Sequence, residues 1–204
     1  MDIISELNGK RILIWGYGRE GKATEHFLQR CVKPASVDIF EGKKEEIDED
    51  DYDFIIKSPG IVMNEENPKY TSETELFLQQ FRDQVIGITG TKGKSTTSAM
   101  LYTVLKACSG RPVLLLGNIG QPCLDYFEEV TEDTIIVYEM SCHQLAHTNV
   151  SPHIAIFLNL YEEHLDYYGT VEKYFEAKSH IAAYQKSGDY FFVGENVPQI
   201  DTKA

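Results

Sequence analysis

Residues 85–101, VIGITGTKGKSTTSAML, pass from an apolar run through a glycine-rich turn to a lysine and a serine. Val85, Ile86 and Ile88 predict a buried strand. Residues 95–107 predict a helix with Met100, Leu101, Val104 and Leu105 on one face. Gly90 and Gly93 allow a tight turn that aims backbone N–H groups at an anion, and the helix start adds free N–H groups and the positive end of its dipole. In such a loop Lys94 reaches the terminal phosphates of a nucleotide and the Ser95 hydroxyl holds Mg²⁺. The strict phosphate-loop spacing wants glycine at 88, where this chain has Ile88, so the loop is a shorter variant, GTKGKS from Gly90 to Ser95. The plain alternative is a packing turn with an exposed lysine; strand, loop and helix in the order the chemistry needs argue against it.

Other residues able to do chemistry follow strand-like runs. TIIVYEMS (134–141) contains Glu139, and HIAIFLNL (153–160) leads to His164. In an open parallel sheet ligands bind beyond the carboxyl ends of the strands, so Lys94, Ser95, Glu139 and His164 are expected to converge. There a carboxylate and an imidazole serve as metal ligands or charge stabilisers. The helical run 171–186 sets Tyr174 and Lys178 one turn apart on one face. HQLAH (143–147) puts two histidines at i, i+4, but Gln144 stands where a zinc protease needs its general base, so His143 and His147 read as surface or packing residues. Upstream, Gly16-x-Gly18-x-x-Gly21 follows the apolar run 11–15, with Glu41 twenty residues beyond Gly21. That is a dinucleotide fingerprint. Arg19 and Glu20 add bulk and charge where a pyrophosphate would approach, which favours another nucleotide or a nucleotide-linked sugar over NAD; a turn serving packing alone is the third reading.

The elements that must position these residues form two successive units, each opening on a strand and a glycine turn. The first has strands at 11–15, 36–40 and 53–58 and a helix at 72–81; the second begins near Val85. Strands alternating with helices predict an α/β fold with a parallel sheet in each unit. The chain has 204 residues, and its apolar fraction of 42% suffices for a buried core. No apolar run reaches the ~18 residues of a spanning helix, and the polar, acidic start MDIISELNGKR does not read as a signal peptide. Cys31, Cys108, Cys123 and Cys142 show no C-x-x-C pairing, which predicts reduced thiols and a cytoplasmic protein. A net charge of −13, much of it in EGKKEEIDEDDYD (41–53), argues against nucleic acid as partner; an anionic substrate must be held by local cations and N–H groups.

The motifs GITGTKGKSTT, GNIGQP (117–122), YEMSCHQL (138–145), NLYEEHLDYYGT (159–170) and YFEAKSHI (174–181) stand in the order found in the Mur ligases, which the chain resembles over almost its whole length. These are ATP-dependent amide ligases of peptidoglycan precursor synthesis. The N-terminal glycine turn, KSPGIVMNEENP (57–68) and SETELFL (72–78) most resemble the members that add D-glutamate to UDP-N-acetylmuramoyl-L-alanine. The resemblance implies a Rossmann-like domain at 1–84 that binds the UDP substrate, and at 85–204 the first part of a P-loop ATPase-type parallel-sheet domain. The C-terminal amino-acid-binding domain of the family is absent, so the chain reads as a fragment, inactive alone. By the resemblance, ATP lies on Gly90, Thr91, Lys92, Gly93, Lys94, Ser95 and Thr96, with Lys94 on the β- and γ-phosphates. One Mg²⁺ lies on Ser95 and Glu139. A second lies on His164 and on Lys178, the latter carbamylated by CO₂. Lys94, His164 and Lys178 are the implied catalytic residues. Arg19, Glu20, Glu41, Lys43, Ser58 and Gly60 match the uridine-diphosphate pocket, and Asn118 a contact to the muramoyl group.

Cys142 and His143 depart from the serine and phenylalanine usual in the D-glutamate-adding members. TKGKS also resembles the folylpolyglutamate synthase loop, and HLDYYGT with YFEAK also resembles the diaminopimelate- or lysine-adding ligases. Alternatives are therefore another Mur-type or folylpolyglutamate synthase-like ligase, or a non-catalytic module that grips a UDP-sugar.

Overall fold

The computed structural model describes residues 2–61 and 67–204. The tail of the 57–68 motif, residues 62–66, lies outside the described residues. The chain divides into two compact units, one of residues 1–80 with 122–128, the other of 81–121 with 129–204. The sequence pattern alone puts residues 85–204 in the second unit. Residues 122–128 instead return to the first, because Leu124 and Phe127 bury there and Phe127 packs on Phe27 with ring centroids 4.7 Å apart.

In the first unit helix α1 (Ile3–Leu7) precedes strand β1 (Arg11–Trp15), helix α2 (Arg19–Cys31), β2 (Ser36–Phe40), β3 (Phe54–Lys57), β4 (Tyr70–Thr71) and α3 (Glu73–Phe81). The strands form one parallel sheet in the order β2-β1-β3-β4. Ile12, Leu13, Ile14 and Trp15 are all buried, the continuous apolar run of a strand covered on both faces. Ala23, Phe27 and Leu28 of α2 are buried with them. Trp15 pairs with both Phe40 and Lys57, so the chain leaves all three strands at one edge, at Gly16, Glu41 and Ser58.

The second unit holds β5 (Val85–Thr89), α4 (Lys94–Cys108), β6 (Val113–Gly117), β7 (Ile135–Glu139), α5 (Cys142–Leu145), β8 (Ile154–Phe157), α6 (Leu165–Tyr168), α7 (Val171–Ala183) and β9 (Tyr190–Val193). Its parallel sheet runs β6-β7-β5-β8-β9, with β5 central. Ile88, Ile136, Val137, Ala155 and Phe157 are fully buried. Gly87 is required within β5, since a Cβ there would lie 2.6 Å from Pro152 Cγ. Helix α7 packs on β5, β8 and α5, and its Tyr174, Ala177, Lys178, Ile181 and Ala182 are buried. The apolar face of α4 is only partly covered: Leu101 and Leu105 are half-buried, Met100 and Val104 are 64% and 57% exposed, and Ser98 is the helix's buried residue. Helical spacing marks a stripe but not what covers it. Among the described residues no helix is long and apolar enough to cross a membrane.

Candidate active site

The turn after β5 is braced from the end of β8. Asn159 Oδ1 accepts from Lys92 N at 2.9 Å, Asn159 Nδ2 donates to Lys92 O at 2.9 Å, and Thr91 N donates to Asn159 O at 3.0 Å. Thr91 Oγ1 accepts from Tyr161 N at 2.9 Å and lies 3.3 Å from the Tyr174 hydroxyl. Gly90 sits at φ +152°, where an added Cβ would lie 3.0 Å from Leu158 Cβ. Gly93 caps α4 at φ +85°, a left-handed conformation that glycine adopts without strain. The position where strict spacing wants glycine is Ile88, fully buried in the sheet, so the loop starts two residues later. Asn159 is a positioning residue the sequence reading did not single out; its place after a strand and opposite the loop was the available signal.

Two lysines converge on this turn. Lys94 Nζ donates to Gly90 O at 2.9 Å and Thr91 O at 3.2 Å, so its charge rests on the loop's own carbonyls. Lys178, 1% exposed, donates to Gly90 O at 3.0 Å and reaches Thr89 Oγ1 at 3.4 Å, with its Nζ 4.8 Å from the Tyr174 ring centre. Burial pushes the Lys178 ammonium down to about 8; the Lys94 charge adds to this, while Cys142 and Glu163 oppose it. Ser95 and Thr96 are exposed in the first turn of α4.

Glu139 ends β7, one strand over from β5 and in register with Ile88. It is 1% exposed. Its Oε1 accepts from Asn118 Nδ2 at 2.7 Å, whereas its Oε2, also buried, has no hydrogen-bond partner among the described residues. A buried carboxylate oxygen without a partner is costly, on the order of 1–3 kcal/mol or more, and a cation offsets that cost. Oxygen ligands suit Mg²⁺, so the residues present fit a magnesium–nucleotide. Asn118 is held over Glu139 by the turn after β6: Asn118 N donates to Glu139 O at 2.9 Å, and Gly117 adopts φ +99° with no room for a Cβ, which would meet Tyr138 Cε2 at 2.2 Å.

His164 is the non-glycine residue at positive φ among the described residues, at +56°, where it caps α6. Such backbone costs of order 1 kcal/mol and clusters at functional sites. Its ring centre is 5.9 Å from that of Tyr174, so His164 and Lys178 flank one tyrosine. Glu163 beside it binds Lys92 Nζ at 2.6 Å, which holds the Glu163 carboxyl below its usual range. His143, expected to be a surface or packing residue, lies with its ring centre 5.3 Å from that of His164.

In the first unit the fingerprint glycines divide by role. A Cβ on Gly16 would lie 2.6 Å from Ser58 Oγ, and one on Gly21 would lie 2.2 Å from Gly16 O; both serve packing. Gly18, the N-cap of α2, has open space, the place where a ligand approaches backbone. Ser58 Oγ donates to Gly16 O at 3.0 Å. Arg19, Glu41, Lys43 and Gly60 are exposed around this edge, and Glu20 is half-buried. Lys57, which the sequence reading passed over, is 3% exposed; burial lowers its ammonium to about 8, opposed by the Glu20 carboxylate. Its Nζ donates to Ile61 O at 3.2 Å.

Residues 88–203 match the Mur ligase middle domain. The UDP-N-acetylmuramoylalanine–D-glutamate ligase of Clostridium kluyveri is 35% identical over 83% of this chain and 38% of its own length. That of Streptococcus pyogenes is 33% identical over 96% of this chain and 50% of its own. The chain thus spans half the length, or less, of these curated relatives. The crystal structure of UDP-N-acetylmuramate:L-alanyl-gamma-D-glutamyl-meso-diaminopimelate ligase from Neisseria meningitides shares the fold, with a TM-score of 0.55 at 17% identity over 91% of this chain and 71% of that one. With that middle domain matched over more than half of its residues, this chain belongs to the Mur ligase family.

Proposed function

We propose that this chain is part of an ATP-dependent amide ligase that adds D-glutamate to UDP-N-acetylmuramoyl-L-alanine in peptidoglycan precursor synthesis. The observation that carries the reading is the buried, half-satisfied carboxylate of Glu139 at the end of the strand beside a braced, lysine-bearing glycine loop. The relatives that bear this activity by name support the substrate assignment.

In this reading the loop N–H groups and the start of α4 cradle the phosphates of ATP, and Lys94 leaves the carbonyls of Gly90 and Thr91 for the phosphoryl oxygens. The γ-phosphoryl passes to the L-alanyl carboxylate, forming an acyl phosphate and ADP. The D-glutamate amine attacks the acyl carbon, loses a proton, and phosphate leaves. Bringing anions together demands positive charge and in-line positioning. Ser95 and Glu139 would hold one Mg²⁺, and His164 with Lys178 as a carbamate a second; when bound, these ions neutralise phosphate charge. Carbamate formation begins from a neutral amine, which attacks CO₂ and sheds a proton, and the lowered proton affinity of Lys178 supports that role. Asn118 orients Glu139 and contacts the muramoyl group. The first unit grips UDP at the Gly16–Gly21 turn, through Arg19, Glu20, Glu41, Lys43, Ser58 and Gly60, and the protein works in the cytoplasm.

Calorimetric titration of the chain with UDP-N-acetylmuramoyl-L-alanine and with NAD tests the reading. Tighter binding of the UDP compound is expected; equal or tighter binding of NAD would overturn it.

A further inference from the structure

Beside the phosphate loop, Cys142, His143 and His164 bring one sulfur and two imidazole nitrogens within 4.8 Å of one another. No pair in this trio is adjacent in function by the reading above, which uses His164 alone. Cys142 is buried against Tyr174 and Ala177 at the start of α5, and its neighbour Ser141 fixes that start through a capping box with Gln144. His143 Nδ1 lies 3.2 Å from the Tyr168 hydroxyl, and the ring stacks on Tyr168. His164 closes the trio from the exposed side, on the strained backbone at φ +56°.

We propose that Cys142, His143 and His164 form a binding site for one borderline-soft divalent metal ion of the zinc class, distinct from the oxygen-lined magnesium chemistry of the phosphate loop. The Cys142 thiolate, with two imidazoles beside it, selects zinc-like ions over Mg²⁺, which prefers a mostly oxygen shell. Zinc takes Cys sulfur at about 2.3 Å and His nitrogen at about 2.0–2.1 Å, so tetrahedral ligand atoms stand ~3.5 Å apart. With its ligand atoms within 4.8 Å of one another, the trio must close by up to ~1.3 Å. The exposed His164 supplies that movement. Three protein ligands leave a fourth position open. Tyr168 orients the His143 ring as an outer partner. Tyr167 and Tyr168 pack on the His143 ring and Tyr174 lies beside that of His164. Zinc here takes His164 away from the phosphate site and so blocks ligation; that consequence rests on the proposed ligase reading, whereas the site itself does not.

Titration of the chain with Co²⁺, a spectroscopic substitute for zinc, tests the site. The expected result is one equivalent bound with a thiolate-to-cobalt charge-transfer band, displaced by one equivalent of Zn²⁺ and untouched by excess Mg²⁺. Cys142→Ser removes the band, Cys108→Ser leaves it, and Tyr168→Phe weakens binding about tenfold. Absence of the band, or its persistence in Cys142→Ser, overturns the proposal. Should Cys142→Ser fail to fold, X-ray absorption of the zinc-loaded wild-type chain decides the matter. One sulfur and two imidazoles per zinc uphold the site, and a shell without sulfur overturns it.

Discussion

Replacing Lys178 by Met isolates the burial of one charge. In the folded chain burial lowers this ammonium from its ordinary 10.5 to about 8. Below pH 8 the lysine is charged in both folded and unfolded chains, and the fold bears the full desolvation cost, ~3 kcal/mol for a shift of this size. As pH rises from 8 toward 10.5 the folded chain gives up its proton first, so that cost fades; at pH 10 under ~1 kcal/mol of it remains. Methionine fills similar volume without charge, and it forfeits hydrogen bonds to Gly90 O and Thr89 Oγ1 worth ~1–2 kcal/mol together. Gly90 O keeps Lys94 as a donor, so no carbonyl is orphaned. Lys178→Met is therefore expected to stabilise the second unit by ~1–2 kcal/mol at pH 7 and to destabilise it slightly at pH 10, a swing of ~2–3 kcal/mol. Urea unfolding followed by circular dichroism measures it. Trp15 is the chain's single tryptophan and lies in β1, so its fluorescence reports the first unit separately. A stability difference that stays the same at both pH values would refute the desolvated-lysine argument, and with it the neutral amine that a carbamate requires.

Three further outcomes are expected. Lys94→Ala removes the charge that follows the phosphoryl group, so ATP- and D-glutamate-dependent phosphate release by the gene product containing this chain falls roughly 10²-fold or more; near-normal turnover would remove Lys94 from the site. Asn159→Ala loses two hydrogen bonds that brace the loop, ~1–2 kcal/mol in all, so titration of the chain with a fluorescent ATP analogue and Mg²⁺ shows about tenfold weaker binding. Glu73, 2% exposed, has its carboxyl raised well above the usual range by burial, with Glu20 and Asp125 adding to it. Its contribution to stability is greatest below the unfolded value and is lost as pH rises from ~4.3 toward the folded value. Glu73→Gln keeps an oxygen for Leu124 N, so unfolding at pH 8 shows a variant as stable as the parent or more so.

Local chemistry made part of this protein legible in one dimension. The phosphate loop is written in adjacent residues, because glycine, lysine and serine must follow one another where a strand gives way to a helix. The two parallel sheets follow from the alternation of apolar runs with helical spacing, a short-range signal. Lys178 and Tyr174 are one helical turn apart, and that spacing alone placed them together. What only the tertiary structure decided depends on contacts between residues far apart in the chain. Asn159 grips Lys92 across 67 positions. Whether an oxygen of Glu139 is left bare depends on the turn that carries Asn118 and on the depth of β7 in the sheet. The α4 stripe has helical spacing, yet Met100 and Val104 stay exposed, because periodicity names a face and only neighbouring elements can cover it. Residues 122–128 fold back to the first unit through Leu124 and Phe127, a return that no linker composition marks. His143 pairs at i, i+4 with His147 in the sequence, a pattern that Gln144 spoils for a zinc protease; that it and Cys142 meet His164 depends on α5 and α6 both packing on α7.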